Sequence, residues 1–146
     1  MPVKRDLIRD YLANVLRNEI QYPFLVSQPS GVFDTTSVTL PATALDDGSA
    51  SLISVGIGRT FYEWGETIPI HFIHQHTLPE QRTEAVRRWI DQVHFALYRD
   101  RTLGGHVRQL ELGPVSSSDE ELEGAEDLVQ ATAELYIEWC STDSRG

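Results

Sequence analysis

The stretch whose reading decides the fold is VQATAELYIEW, residues 129–139. In it Val129, Ala131, Ala133, Leu135, Ile137 and Trp139 alternate with Gln130, Thr132, Glu134, Tyr136 and Glu138. An apolar set in step with a period of two puts one face against a core and the other toward polar surroundings, which defines a strand. The alanines and glutamates favour a helix taken singly, but a helix would scatter the apolar set around its circumference. Upstream, SSSDEELEG at 116–124 cannot bury itself and reads as a loop or a short frayed helix. Before that, a strand follows Leu103-Gly104-Gly105 and runs through Leu112 until Gly113-Pro114 breaks it.

Two helices frame the rest. Thr77-Leu78-Pro79-Glu80 combines a threonine N-cap, an early proline and a glutamate three residues on, so a helix starts there and runs to about Tyr98. Its apolar stripe is Ala85 or Val86, Trp89, Ile90, Val93 and Leu97, and Glu84 lies one turn from Arg87 and Arg88. An earlier amphipathic helix spans Val3 to Ile20 through Leu7, Ile8, Tyr11, Leu12, Val15 and Leu16, and stops near Tyr22-Pro23.

Between the helices, PSG at 29–31 marks a turn, and the β-branched run from Thr35 to Leu40 predicts a strand ending at Pro41. ALDDGSAS at 44–51 reads as an exposed turn. Leu52 to Ile57 is a second strand and Thr67 to His76 a third, joined as a hairpin by a connection containing Gly58 and Gly65. The order predicts an α+β fold: a twisted antiparallel or mixed sheet of four to five strands packed against two main helices. With 146 residues the chain is expected to form one domain over 1–146, with 23–65 an extended hairpin or arm and 140–146 a flexible tail.

Composition narrows the function. Cys140 is the only cysteine, which excludes an intramolecular disulfide and a cysteine-based zinc site. No apolar run is long enough to span a membrane, and MPVKRDLIRDYL opens as a charged amphipathic helix without a signal-peptide core, so a chain made in the cytoplasm is expected. The formal net charge of −10 argues against a protein that grips nucleic-acid phosphates. That charge is unevenly spread: residues 82–108 carry six basic and three acidic groups, and residues 109–146 one basic and ten acidic. One reading is two solvated faces. The other is a head-to-tail contact between unlike faces, which closes into a ring or extends into a filament.

Catalytic chemistry finds little support in the pattern. His71, His74 and His76 fall within six residues, but in a strand His74 and His76 share a face while His71 points the other way. A metal-binding module on these three, with Glu63 or Glu66 as a further ligand, is the rival to a polar strand end. Ser116, Ser117 and Ser118 lack a nucleophile elbow, Cys140 has no basic neighbour in sequence, and Gly56-Ile57-Gly58 lacks the third glycine of a phosphate-binding fingerprint. The carboxylates cluster in the exposed run 119–127. No enzyme and no cofactor are expected. Leu103-Gly104-Gly105 marks a tight turn with positive φ or a point where another backbone comes close. Trp64, Trp89 and Trp139 read as core or interface anchors.

A helix ending Tyr98-Arg99-Asp100-Arg101, then Thr102-Leu103-Gly104-Gly105-His106-Val107, a strand, an acidic loop and a long alternating strand ending Leu135-Tyr136-Ile137-Glu138-Trp139 resemble the tail terminator and tail completion proteins of long-tailed bacteriophages. The match is best over 77–139, weaker over 1–22 and absent over 23–65. The resemblance implies a small α+β subunit of a homohexameric ring at the head-proximal end of the tail tube. Such a ring stops tube polymerisation and meets a tail tube protein and a head connector or neck protein, while DNA passes its lumen unbound. The implied location is the tail-neck region of the virion, and the nearest alternative is another neck or head-completion protein of the same particle. The subunit-contact candidates are Leu103, Gly104, Gly105, Arg87, Arg88, Arg101 and Arg108, with Glu120, Glu121 and Glu123 as acidic counterparts.

Overall fold

The computed structural model describes residues 4–19, 24–26, 42–46, 48–55, 62–74, 79–118 and 129–142. Helix α1 (Lys4–Glu19) precedes β1 (Phe24–Val26), β2 (Ala42–Leu45), β3 (Ser49–Val55) and β4 (Tyr62–His74). Helix α2 (Pro79–Tyr98), β5 (Gln109–Ser118) and β6 (Val129–Ser141) follow. The chain is an α+β fold with a mixed sheet against two main helices. Five strands run in the order β1-β2-β4-β6-β5, and the sixth, β3, pairs with β4 off that path. Only β1 and β2 pair in parallel; the other pairings are antiparallel.

The centre of the sheet is the β4–β6 pair, matched without a shift from Tyr62 opposite Ser141 to His74 opposite Val129. On β6 the alternation holds: Ala131, Ala133, Leu135, Ile137 and Trp139 are buried, and the residues between them are less so. Register puts Ile68, Ile70 and Phe72 of β4 on the same face. Both helices cover that face. Helix α2 docks through Trp89, whose ring lies 5.3 Å from Phe72 and whose Nε1–H donates to Thr43 Oγ1 at 3.1 Å, with Val93 and Leu97 buried one and two turns on. Each such large apolar side chain contributes about 1.5–3 kcal/mol when fully buried.

Helix α1 buries Ile8, Leu12 and Leu16, a stripe of period four, while Leu7 is exposed. Its first turns are also tied down by cations. Lys4 Nζ donates to the Cys140 carbonyl at 2.9 Å, Arg5 to Glu66 Oε1 at 2.8 Å and to the Gly48 carbonyl at 3.0 Å, and Arg9 to the Asp46 carbonyl at 3.0 Å. Glu66 is buried, so Arg5 supplies the charge without which that carboxylate would be costly to hold. A Cβ on Gly48 would fall 2.6 Å from Glu66 Oε1, so any larger residue there would have to displace the Glu66 side chain.

Several elements depart from the sequence-based expectation. Residues 42–45, half of them assigned to an exposed turn, form the buried strand β2, because the short segment is packed on both faces and shows no alternation. Strands β2 and β3 lie along one edge of β4, interrupted at 46–48, so the described parts of 23–65 belong to the central sheet. Gly65 lies inside β4, and β4 begins at Tyr62; the glycine is needed because Tyr136 Oη would sit 2.7 Å from its Cβ. Strand β5 does not stop at Gly113-Pro114 but shifts register there and continues to Ser118, taking up Ser116 to Ser118. Cys140 is part of β6 and not of a tail. The expected strand at 35–40, the turn at 29–31, the Thr77 cap, Gly58 and the acidic run 119–127 lie outside the described residues.

The turn after α2 shows why Leu103-Gly104-Gly105 stands where it does. Asp100 Oδ1 accepts from the Thr102 N–H (3.1 Å) and hydroxyl (2.7 Å), and Oδ2 accepts from the Gly104 N–H (2.7 Å). The Thr102 hydroxyl first, then the Gly104 N–H, hold the Asp100 carboxyl below its usual range. Leu103, Gly104 and Gly105 all have positive φ (47°, 69° and 88°), and Leu103 is held there by burial of its side chain in the core. The two glycines form the expected turn with positive φ, and within the chain the Tyr11 ring lies 2.9 Å from a Cβ placed at Gly104. Gly105→Ala meets no neighbour within 4 Å and is expected to cost only the backbone strain, about 1 kcal/mol. Gly104→Ala must also displace Tyr11. Thermal melts should therefore place Gly104→Ala below Gly105→Ala, at roughly 4 °C for each additional kcal/mol in a chain of this size.

Candidate functional site

The sheet face away from the helices carries several of the polar side chains singled out by the sequence, among them His71, Glu63 and Cys140. At one end of it lies His71, buried, with Nδ1 2.8 Å from Thr132 Oγ1 and Nε2 3.1 Å from Asp46 Oδ2. His74 is also buried but on the helix-facing side, where its ring sits 5.1 Å from Phe72. His71 and His74 thus point to opposite faces, and the strand end that carries them is not a solvated polar end: residues 70–74 are all buried. His76 lies outside the described residues. Among the described residues no group of three histidine, cysteine or acidic side chains is arranged to hold a metal. The Thr132–His71–Asp46 chain joins β6, β4 and the break between β2 and β3.

At the other end of this face Arg108 bridges two strands. Its guanidinium donates to Glu63 on β4 and, at 2.8 Å, to Glu138 Oε2 on β6, and Tyr136 Oη donates to the second Glu138 oxygen at 2.8 Å. The hydrogen bond from Arg108, then that from Tyr136, lowers the Glu138 pKa. Donation to Glu138, reinforced by burial, raises that of Tyr136. The bonds to Glu138 and Glu63 raise that of Arg108. Cys140 Sγ stands 4.0 Å from Glu63. No sequence signal marked this network, since Arg108 and its partners are 30 and 45 positions apart and meet only through the strand register.

The contact candidates separate in the structure. Leu103 is in the core and is not available to a neighbour. Arg108 is committed within its own chain, and Arg101 donates to the Leu110 carbonyl at 2.9 Å with its guanidinium 4.7 Å from the Tyr98 ring. Arg87 and Arg88 remain on the exposed side of α2, Arg88 pairing with Glu84 one turn away at 2.8 Å. They line, with Thr83 and Asp91, an open concavity of about 530 Å³. Glu120, Glu121 and Glu123 lie outside the described residues. Trp89 and Trp139 are core residues, and Trp64 stacks on Trp139 at 6.4 Å across the β4–β6 pair. No helix among the described residues is long and apolar enough to cross a membrane.

No protein-family model matches the chain, and no curated protein matches it either. The case for a function therefore rests on the residues and their placement.

The Arg108 network makes stability pH-dependent in a defined direction. A carboxyl whose folded pKa lies below its ordinary value of 4.5 adds stability that is present above that value and lost as pH falls through the folded one. Denaturant melts of Glu138→Gln against the parent should therefore differ most near pH 7 and converge as the pH falls below 4.5 and on through the lowered folded value. A difference that stays constant across that interval would mean that the carboxylate charge has no part in it.

Proposed function

We propose that this chain is a structural virion protein: the subunit of a homohexameric ring that caps the head-proximal end of a phage tail tube, ends tube polymerisation and joins the tail to the head connector. The observation that carries the reading is the continuity of the unit on which the resemblance rests. Residues 77–139 span α2, the Asp100-capped turn, β5 and all but the last two residues of β6, so the matched pattern follows one half of the fold in chain order. Charge supports it as well. The exposed side of α2 carries Arg87 and Arg88, while the sequence from 109 to 146 holds ten acidic groups against one basic, a segregation of charge along the chain that suits a head-to-tail contact. Glu111 and Glu134, exposed on the face away from the helices, are suited to a lumen that repels DNA and leaves it mobile.

In this role the protein needs no cofactor, and its partners are further copies of itself, a tail tube protein and a connector or neck protein. It would be made in the host cytoplasm and end in the tail-neck region of the particle. Light scattering with negative-stain electron microscopy, on the protein alone and with tail tube protein, tests it. The expected result is a ring of about six times the 16.5 kDa subunit mass with a central hole, bound to tube ends. A protein that stays monomeric in both conditions would overturn the reading, and a ring that binds connector but not tube would move it to the neck.

A further inference from the structure

Of the outer strands of the sheet, β3 and β5 are treated very differently by this sequence. Strand β5 is guarded: the Tyr98 hydroxyl accepts the Leu112 N–H at 2.9 Å, Arg101 donates to the Leu110 carbonyl, and Pro114 at the bulge has no N–H to offer. Beyond the bulge β5 continues as the uncharged run Val115 to Ser118. Among the described residues nothing of this kind protects strand β3. It pairs with β4 on one side only, since β1 covers β2 alone, and no described strand lies along its other side. Its sequence SASLISV has no charge, proline or glycine. Leu52, Ile53 and Val55 are 47%, 47% and 52% exposed and account for three of the five exposed large apolar side chains among the described residues. An uncharged, apolar, unguarded edge is a template for another strand.

We propose that β3 is a subunit-contact strand, and that its occupant is the 115–118 half of β5 from the next copy of this chain, joined by antiparallel strand addition. The inference rests on the ring reading and assigns its contact. Strand direction favours this partner. β3 is antiparallel to β4, β4 to β6 and β6 to β5, so β3 and β5 run in opposite senses at opposite edges of one sheet. A copy generated by rotation about a ring axis therefore brings its β5 to β3 already antiparallel, without inversion. The guard over Leu110 to Pro114 then sets the register, because it denies that half of β5 to an incoming strand and leaves Val115 to Ser118. Neither facing segment carries a charge, so no like-charge repulsion opposes the pairing. Continued from copy to copy, the sheet would turn Glu111 and Glu134 the same way in every subunit.

Cysteine cross-linking tests this. Ser51 and Ser116 are exposed and lie on the same face of the sheet, opposite Gly65 and Thr132. In a Cys140→Ser background, Ser51→Cys and Ser116→Cys are made singly and together and oxidised with copper phenanthroline, beside electron microscopy of each sample. The expected result is a covalent ladder from the double variant and dimers from a mixture of the two single variants, with neither single variant cross-linking alone. Adding Val55→Lys, at an exposed position that leaves the core intact, should abolish the ladder with the circular dichroism spectrum unchanged. Dimers from Ser51→Cys alone would overturn the proposal in favour of a two-fold β3–β3 contact. Rings without any cross-link would overturn it while leaving the ring reading standing, whereas monomers by microscopy with no cross-link would remove both.

Discussion

Everything else in this molecule is positioned by the β4–β6 ladder. Two strands of 13 residues each are matched from end to end without a register shift. Because side chains alternate, a slip of one residue would send Ala131 to Trp139 to the far face and bring Thr132 to Cys140 under the helices. The burial contrast along β6 makes that slip expensive, so the register is fixed by the apolar face. With it are fixed the meeting of Arg108 with Glu63 and Glu138 and that of His71 with Thr132. Both polar groups are consequences of a pairing that the hydrophobic effect selects.

The helices complete the core but depend on the ladder for their seats. Trp89 needs Phe72 and Thr43, which are neighbours because β2 pairs with β4. Helix α1 needs Glu66 on β4 and the carbonyls of the break between β2 and β3, to which Arg5 and Arg9 donate. The connection from α2 to β5 is stabilised locally by Asp100, and Tyr98 and Arg101, from the end of that helix and the turn after it, protect the first half of β5. The chain thus protects one sheet edge with residues that already serve a turn and leaves another edge apolar, with no described strand along it, which gives the surface a direction.

The parts legible in the sequence were those with a local signal. Strand β6 declared itself by strict alternation, α2 by its apolar stripe and α1 by Ile8, Leu12 and Leu16. The positive φ at Gly104 and Gly105 followed from their place between a helix and a strand. What escaped had no local signal. Strand β2 is four residues buried throughout, so it lacks alternation, and the adjoining Asp46-Asp47-Gly48 resembles a surface turn. Gly65 looks like a loop glycine until Tyr136 is placed across it. The Gly113-Pro114 pair looks like a strand end because a bulge is defined by the partner strand. Of the candidate contact residues, Arg87 and Arg88 stay exposed on α2, Leu103 is buried in the core, and Arg108, though exposed, is held by Glu63 and Glu138 of its own chain. The bare edge of β3 could not be read at all before its neighbours were known.

The claim that the ladder organises the molecule is tested most directly by native-state hydrogen exchange, residue by residue. The account predicts that the amides of Ile68 to Phe72 and Ala131 to Ile137 that bond across the ladder exchange last, only on global unfolding, with those of α1 and β3 exchanging earlier through partial opening. Ladder amides that exchange before those of α1 and α2 would contradict it and make the helix pair the organising element.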